Sequence, residues 1–171
     1  DIITANTHKT LAGPQKGLII VKDKKLGDEM QSKILGTLYS SNHLSNLIAL
    51  AITILEWESF GKDYAKQVIE NAQTLSKEFE KLGYKVRKAF NKSYTKNEQV
   101  HLFLREEDNR SKWAENLTKN NISMNFHSSP GERVFIRIGT QEITRRGMKL
   151  DDMKTVAKLF IDAANGKDVK D

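Results

Sequence analysis

The chain has 171 residues, and its 28 Lys and Arg outnumber its 22 Asp and Glu, which gives a formal net charge of +6 with histidine neutral. Hydrophobic residues make up 38% of the sequence and charged residues 29%, proportions that indicate a globular chain with a buried core and exclude a collagen-like or largely disordered one. The sequence has no cysteine, which excludes disulfides and thiol catalysis within it and suits a reducing compartment. No apolar run approaches the roughly 18 residues of a membrane-spanning helix, so we expect a cytoplasmic protein without a membrane partner.

The positive charge is interspersed with negative charge rather than clustered. Arg105 and Arg110, for example, flank the acidic run Glu106-Glu107-Asp108, a pattern typical of solvated surface. A nucleic-acid groove would instead require clustered Lys and Arg with aromatic residues between them, so no nucleic-acid partner is expected. The histidines are dispersed without the spacing of metal ligands, and no metal site is predicted; they are His8, His43, His101 and His127.

The first third of the chain predicts strands followed by helices. Residues 2–4 and 17–21 are rich in β-branched residues and predict two short buried strands, with a polar turn ending in Gly13-Pro14 between them. The first apolar run begins at the second residue and no Met precedes it. We therefore expect that this strand belongs to a larger fold and that the chain is a fragment or one piece of a cleaved chain. Residues 28–35 predict a helix, and residues 43–60 predict one that is apolar almost all round and therefore buried between two layers.

The rest of the chain alternates between helices and strands. Gly61 is predicted to separate the first long helix from a second one that ends at Leu82, where apolar residues recur at helical spacing. This mixture predicts an α/β or α+β layered fold, with a domain boundary near Gly61. Further strands are predicted at residues 84–87, 100–104, 122–126 and 134–138, and further helices at residues 110–119 and 150–164.

Lys9 is the first candidate for chemistry, since it lies in the polar turn between the first two predicted strands. A lysine on a semi-buried turn loses its proton more readily, because desolvation disfavours the ammonium form. A neutral lysine amine is a nucleophile towards carbonyl groups and forms Schiff bases. A lone lysine in a polar loop is, however, usually a solvated charge, so the residues alone leave both interpretations open.

Arg137 is the second candidate, because it lies inside the apolar run Val134–Gly139. The alternation of side chains along a strand places Arg133, Phe135 and Arg137 on one face. A strand-borne arginine among apolar neighbours requires a carboxylate or phosphate partner. An internal salt bridge is favoured by the local sequence alone, because structural ion pairs outnumber ligand sites, and a bound ligand is the alternative.

Two segments carry a resemblance to a known family. Residues 1–14 contain Thr7-His8-Lys9-Thr10-Leu11 and, after one further residue, Gly13-Pro14; this segment resembles the lysine segment of serine hydroxymethyltransferases. The run from Ile136 to Gly147 resembles the family's block Ile-Arg-x-Gly-Thr-x-x-x-Thr-x-Arg-Gly. The resemblance covers essentially the whole chain but only the C-terminal part of the family, so roughly the first half of such an enzyme lies outside it.

The resemblance implies the α/β fold of a fold type I pyridoxal 5′-phosphate (PLP) enzyme. Residues 1–42 would form the end of the large PLP-binding domain with its Schiff-base lysine, residues 43–60 a connecting helix, and residues 61–171 an α+β C-terminal small domain. The family works as a homodimer in which each active site draws on both subunits. A second copy and the missing N-terminal half of the enzyme are therefore the implied protein partners.

The same resemblance implies roles for individual side chains. Lys9 would bind PLP as a Schiff base, and His8 and Thr7 would line the cofactor pocket as further catalytic residues. Arg137 would bind the carboxylate of a small amino-acid substrate through a two-pronged hydrogen bond. PLP would then serve as the electron sink for a carbanion at the substrate Cα. In the family, serine and tetrahydrofolate exchange a one-carbon unit, and glycine remains.

Three segments depart from the family pattern. The arginine that usually follows Gly-Pro is replaced, since the sequence reads Gln15-Lys16 there. The family's Gln-Gly-Gly-Pro turn, whose backbone reaches the cofactor phosphate of the neighbouring subunit, aligns with residues 40–43, where the Ser41 hydroxyl would donate to phosphate instead. The family's Val-Asn-Lys-Asn segment, which meets folate, aligns with residues 124–127, and His127 in place of Asn alters the hydrogen-bond pattern that a pterin would need.

Three interpretations follow from this combination. The first is a serine hydroxymethyltransferase with tetrahydrofolate as co-substrate, and the second is a folate-independent threonine aldolase or transaldolase that uses the same Lys9 and Arg137. The third is a non-catalytic fragment with a structural role. The 171 residues alone are not expected to catalyse, because the family's acidic partner of the pyridine nitrogen and its ring-stacking residue belong to the part of the family outside this chain.

Overall fold

The structure, a computed structural model, describes residues 1–41, 43–89, 93–128 and 130–170. The chain divides into two compact units, Asp1–Lys62 and Asp63–Asp171. Each unit is described by itself below.

The first unit contains a β-hairpin and two helices. β1 (Ile2–Asn6) pairs antiparallel with β2 (Gly17–Val21), in a register that places Asn6 opposite Gly17. α1 (Lys24–Ile34) begins earlier than predicted, because the Asp23 side chain caps it by accepting a hydrogen bond of 2.7 Å from the backbone N–H of Leu26. α2 (Leu44–Lys81) begins in this unit and ends in the second.

The predicted break at Gly61 is wrong, since α2 continues through this residue. Gly61 is buried, and a Cβ atom at this position would lie 2.5 Å from Cε3 of Trp57, one helical turn earlier. The glycine therefore makes room for the indole ring that packs over it, and it does not mark the end of a helix. A sequence pattern does not separate these two roles of glycine, because both leave the same gap in the apolar stripe.

The predicted burial of the first unit is not found in this chain. Ile3 in β1 is 61% exposed and Leu44 at the start of α2 is 70% exposed, and no large apolar side chain among residues 1–41 and 43–62 is buried. The reason is geometric, since a two-stranded sheet is too small to enclose the faces of the helices beside it. The apolar residues of α2 that remain exposed include Leu47, Ile48, Ile52, Ile54, Leu55 and Phe60.

The second unit contains a three-stranded antiparallel sheet. Its strands are β3 (Gln99–Phe103), β4 (Phe126–His127) and β5 (Phe135–Gly139), and β5 lies in the middle. Besides the end of α2, its helices are α3 (Arg110–Lys119), α4 (Gln141–Arg145) and α5 (Asp152–Ala164). Within the described residues, no helix has the length and apolar character required to cross a bilayer.

One face of this sheet and the helices enclose a hydrophobic core. Leu75 and Phe79 of α2 and Leu102 and Ile136 of the sheet are fully buried members of it. Phe79 meets Phe160 of α5 edge to face, with the ring centroids 5.8 Å apart. Because side chains alternate along a strand, the residues beside Leu102 and Ile136 in the sequence lie on the opposite, open face of the sheet.

Residues 84–87 do not form the predicted strand. Val86 makes only an isolated antiparallel bridge with Leu102, and the N–H of Arg87 donates to the carbonyl of His101 at 3.0 Å. This segment nevertheless extends the sheet along β3, so Arg87 shares the open face with the odd-numbered residues of β3.

The predicted strand at residues 122–126 is also mostly wrong, since β4 contains only Phe126 and His127. The N–H of Ile122 instead donates to the carbonyl of Leu117 at 2.9 Å and so closes the end of α3. α4 was not predicted, because five residues are too few to show a helical period.

We predict that Leu75→Ala lowers the free energy of unfolding by about 2–5 kcal/mol, because it removes buried methylene groups and leaves a cavity. Leu159→Ala is the matched control, since Leu159 is also a helical leucine of the second unit but is 41% exposed, whereas Leu75 is fully buried. Urea unfolding followed by circular dichroism measures both changes. Equal losses for the two variants would contradict the core assignment.

Candidate active site

Thr7 fixes the loop between β1 and β2. It is fully buried, its N–H donates to the carbonyl of Lys16 at 3.0 Å, and its own carbonyl accepts from the N–H of Gly13 at 2.7 Å. Its hydroxyl hydrogen is shared between the carbonyls of Pro14 and Lys16. A Cβ atom at Gly13 would lie only 3.0 Å from the Thr7 carbonyl oxygen, so the glycine permits this close approach. These hydrogen bonds of Thr7 hold the two ends of the loop together.

A second contact holds the same loop against α2. The indole N–H of Trp57 donates to the carbonyl of Leu11 at 2.9 Å. This contact could not be predicted from the sequence, because the two residues are 46 positions apart. The loop that carries the candidate lysine is therefore fastened both at its base and on its C-terminal side.

Lys9 lies in this loop, and its carbonyl accepts from the N–H of Ala12 at 2.9 Å. Its side chain is exposed rather than semi-buried, so the residues of this chain do not supply the desolvation that the sequence suggested. The amine forms no hydrogen bond or ion pair with any residue that the structure describes. It is therefore accessible to a reacting carbonyl group.

His8 precedes the candidate lysine and is half-buried. Its Nδ1 atom is inaccessible to solvent and has no hydrogen-bond partner among the described residues. Buried polar atoms are nearly always paired, because leaving one unpaired costs free energy. The unpaired nitrogen beside an unpaired amine fits a polar group of a bound molecule, as the PLP prediction requires.

Ser41 lies in another part of the first unit. It is exposed, and its hydroxyl oxygen accepts a weak hydrogen bond of 3.4 Å from the N–H of His43; Asn42 between them lies outside the described residues. A cavity of about 890 Å³ between β2, α1 and residues 39–50 includes Lys16, Ser40 and Ser41 in its lining, but not His8 or Lys9. Ser41 therefore shares this cavity with Lys16 at the end of the β1–β2 loop, but not with His8 or Lys9.

Arg137 lies in the second unit, on the open face of the sheet. Its neighbours Ile136 and Ile138 contribute to the core side, and the β3–β5 register places Arg137 directly opposite His101. Arg137 is exposed, and within the described ranges its guanidinium has neither a carboxylate at salt-bridge distance nor a hydrogen bond. The internal salt bridge that the local sequence favoured is therefore not formed.

Acidic residues near this face are paired with other arginines. Glu132 accepts from Arg87 at 2.8 Å, and Glu106 pairs with Arg133. Arg133, which was predicted to share a face with Arg137, therefore has its own carboxylate partner, whereas Arg137 has none among the described residues. An unpaired, exposed arginine on a rigid strand is well suited to bind a carboxylate with two parallel hydrogen bonds.

An aromatic stack covers the same face of the sheet beside Arg137. The Phe135 ring is stacked between His101, with centroids 4.8 Å apart, and His127, with centroids 5.4 Å apart. The Arg87 guanidinium lies 5.1 Å from the Phe135 centroid. Phe135 is consequently buried although it lies on the open face.

Sequence reasoning missed His101, because its place in the site follows from the pairing of β3 with β5. Its Nε2 atom lies 3.2 Å from Oε1 of Gln99, whose own amide donates to Glu98 at 3.1 Å; this arrangement puts the imidazole hydrogen on Nε2. Burial lowers the pKa of His101, and the positive charges of Arg87 and Arg137 lower it further. A neutral imidazole therefore faces the guanidinium of Arg137 at neutral pH.

His127, which the resemblance aligns with a folate-contacting segment, makes its contacts within the protein. Its ring stacks on Phe135, and its Nε2 atom is buried without a hydrogen-bond partner among the described residues.

In the part of the chain that the structure describes, no three His, Asp or Glu side chains lie together as a set of metal ligands.

We predict that the free energy of unfolding falls as the pH is lowered from about 7 to about 5. The pKa of His101 lies below its ordinary value of about 6.5 in the folded state only, so the unfolded chain binds more protons in this range and is favoured by acid. His101→Gln should remove part of this dependence, whereas the exposed His43→Gln control should retain it. Urea unfolding at several pH values measures the effect, and an unchanged dependence in His101→Gln would contradict the assignment.

Comparisons with known proteins give the family. The family model described as serine hydroxymethyltransferase matches residues 1–160. Serine hydroxymethyltransferases from Staphylothermus marinus and Sulfolobus acidocaldarius are 37% and 36% identical to the chain; the matches cover 99% and 100% of the chain and 41% of each relative. The chain thus spans about two fifths of the length of the curated relatives it matches.

A solved structure gives the fold. The L-threonine transaldolase from Pseudomonas fluorescens, determined in its internal aldimine state, matches with a TM-score of 0.85 and 34% identity over 96% of this chain and 38% of that protein. This likeness confirms the predicted α/β fold class, that of a fold type I PLP enzyme. With a family model over most of its length and relatives that cover nearly all of it, the chain belongs to the serine hydroxymethyltransferase family.

Proposed function

We propose that this chain supplies the cofactor-binding lysine and the carboxylate-binding arginine of a PLP-dependent serine hydroxymethyltransferase, which transfers a one-carbon unit between serine and tetrahydrofolate. The observation that carries the proposal is the unpaired, exposed amine of Lys9, at the family's lysine position. Together with the unpaired Nδ1 atom of His8, it provides a reactive group and a polar contact where the family places PLP.

The residues of the site divide the work between cofactor and substrate. Bound PLP supplies an electron sink for a carbanion at the substrate Cα. Lys9 binds the cofactor through its amine, His8 contacts it from the same loop, and the buried Thr7 keeps that loop in place through its backbone and hydroxyl hydrogen bonds. Arg137 orients the amino-acid substrate by two parallel hydrogen bonds to its carboxylate.

The chain requires the remaining part of the family fold to act. The exposed apolar side chains of the first unit, such as Leu44 at 70% and Leu55 at 63% exposure, support this, because surface of this kind is usually covered by another polypeptide segment. In the assembled cytoplasmic homodimer, Ser41 would donate to the cofactor phosphate of the neighbouring subunit. The cavity that Ser41 lines does not include Lys9 of the same chain, which fits such a role. The 171 residues alone would serve as a non-catalytic structural piece.

A folate-independent threonine aldolase or transaldolase is the second candidate, and His127 favours it. A histidine stands where the resemblance expects an asparagine, so the amide that the family offers to folate is absent, and the histidine ring is held in the stack on Phe135. The likeness of the chain to an L-threonine transaldolase is consistent with this candidate. Lys9 and Arg137 would keep the same roles in both.

We predict that Lys9→Ala abolishes the covalent attachment of PLP, because no other amine occupies this position in the loop. After treatment with borohydride, which makes the attachment permanent, peptide mass spectrometry should find PLP on the Lys9 peptide of the original protein and on no peptide of the variant. Lys16→Ala, in the same loop, is the control and should retain it. Attachment to another lysine in the PLP-loaded protein would refute the proposal.

Glycine formation from serine by the holoenzyme separates the two candidate functions. If the first is correct, tetrahydrofolate should raise the rate by about tenfold or more, equivalent to about 1.4 kcal/mol, and His127→Asn should raise it further by restoring the family's amide. A rate that tetrahydrofolate does not change, accompanied by cleavage of threonine to glycine, would reject the first candidate in favour of the second.

A further inference from the structure

A buried hydrogen-bond network joins the end of β5 to α2, and it consists of Asn71, Thr140 and Thr144. Asn71 and Thr140 are fully buried and Thr144 is 9% exposed. The two threonines belong to the family block that follows Arg137, but neither the core nor the proposed function accounts for them. Buried polar side chains cost free energy unless they are hydrogen-bonded, so their contacts are informative.

Thr140 terminates β5 and fixes it on two sides. Its N–H donates to the carbonyl of Glu98 at 3.0 Å, beside the β3–β5 pairing. Its hydroxyl donates to the carbonyl of Val68 on α2 at 2.9 Å. The end of the strand is therefore attached both to β3 and to the helix behind it.

Asn71 completes the network from α2. Its amide nitrogen donates to Thr144 Oγ1 at 2.8 Å and to the carbonyl of Met148 at 2.9 Å, while its amide oxygen accepts from Gln67 Nε2 at 3.0 Å. Thr144 in turn donates its hydroxyl hydrogen to the carbonyl of Thr140 at 2.7 Å.

The directions of these hydrogen bonds are mutually consistent. The Met148 carbonyl can only accept, so the amide nitrogen of Asn71 must face it. The Thr144 hydroxyl gives its single hydrogen to a carbonyl and is left to accept from Asn71. The two amide hydrogens of Asn71 and the hydroxyl hydrogen of Thr144 are thus each used once, which favours one arrangement of α4 against α2.

We propose that Asn71 and Thr144 are positioning residues for Arg137, which lies three residues before Thr140. The proposal rests on the proposed function, in which Arg137 binds the substrate carboxylate. The Arg137 guanidinium has no side-chain partner within the described residues, so its direction depends on the backbone of β5. The network fixes that backbone at the end where the strand would otherwise fray, and small displacements of a binding group are costly in an active site.

Thr144→Val and Thr144→Ser in the PLP-loaded holoenzyme test this proposal. Valine keeps the shape of threonine but removes the hydroxyl, whereas serine keeps the hydroxyl. We expect Thr144→Val to weaken glycine binding between about threefold and about tenfold, the range for one lost hydrogen bond, and to raise the KM for serine more than it lowers kcat. Thr144→Ser should restore both values to within about twofold, since the hydrogen bonds return.

Thr118→Val is the matched control. Thr118 also donates its hydroxyl to the carbonyl four residues earlier on its helix, at 2.8 Å, but it is exposed on α3 and lies outside the network. Glycine affinity, measured by isothermal titration calorimetry, should not change in this variant. The midpoint of thermal unfolding, measured on every variant, separates a loss of stability from a loss of binding.

Four results would overturn the proposal. If Thr144→Val unfolds at a lower temperature but binds glycine as Thr118→Val does, the network serves stability alone. If Thr144→Val does not fold, Gln67→Met removes one donor at the edge of the network, and unchanged glycine affinity in that variant rejects the positioning role. If Arg137→Lys leaves glycine affinity unchanged, Arg137 does not bind the substrate carboxylate, and the positioning role fails with that assignment. If Arg137→Lys weakens glycine binding but Thr144→Val does not, only the positioning role is rejected.

Discussion

The pairing of β5 with β3 decides where the charge of Arg137 can act. The register that buries Leu102 and Ile136 on one face of the sheet places Arg137 opposite His101 on the other. A carboxylate at position 101 would neutralise the guanidinium within the protein, whereas the imidazole, whose pKa burial lowers, leaves the positive charge uncompensated. Core packing and ligand binding are therefore two results of one strand register, and a slip by a single residue would destroy both.

Much of the fold and the candidate site could be predicted from local signals. α3 was predicted with its bounds from the spacing of Trp113 and Leu117, and the structure adds that the Asn109 side chain caps it. Lys9 and Arg137 were found from short motifs. The lack of a carboxylate partner for Arg137 among the described residues could not be predicted, because the pairing of Glu132 and Glu106 with other arginines depends on side-chain placement across the sheet. Gly61 was misinterpreted for a different reason, since a glycine that makes room for the Trp57 ring on its own helix leaves the same gap in the apolar stripe as a glycine that ends a helix.

The two units differ in how far they stabilise themselves. The second unit encloses a hydrophobic core from three helices and a sheet, whereas the first buries Thr7, Thr53 and Gly61 but no large apolar side chain. The substrate-binding end of the proposed site therefore stands on a self-sufficient framework. The loop that carries Lys9 is held mainly by polar contacts. In the proposed enzyme, the residues around the Lys9 amine would come from the rest of the family fold.

The hydrogen bond from the Trp57 indole to the Leu11 carbonyl places a fluorescent side chain in contact with the loop that carries Lys9. The chain has two tryptophans; Trp57 is half-exposed beside the loop, and Trp113 is buried in the core of the second unit. Their fluorescence should differ in emission wavelength and in accessibility to a soluble quencher. A chain with phenylalanine at position 113 would carry a single tryptophan, whose fluorescence reports on the contact between the lysine loop and α2.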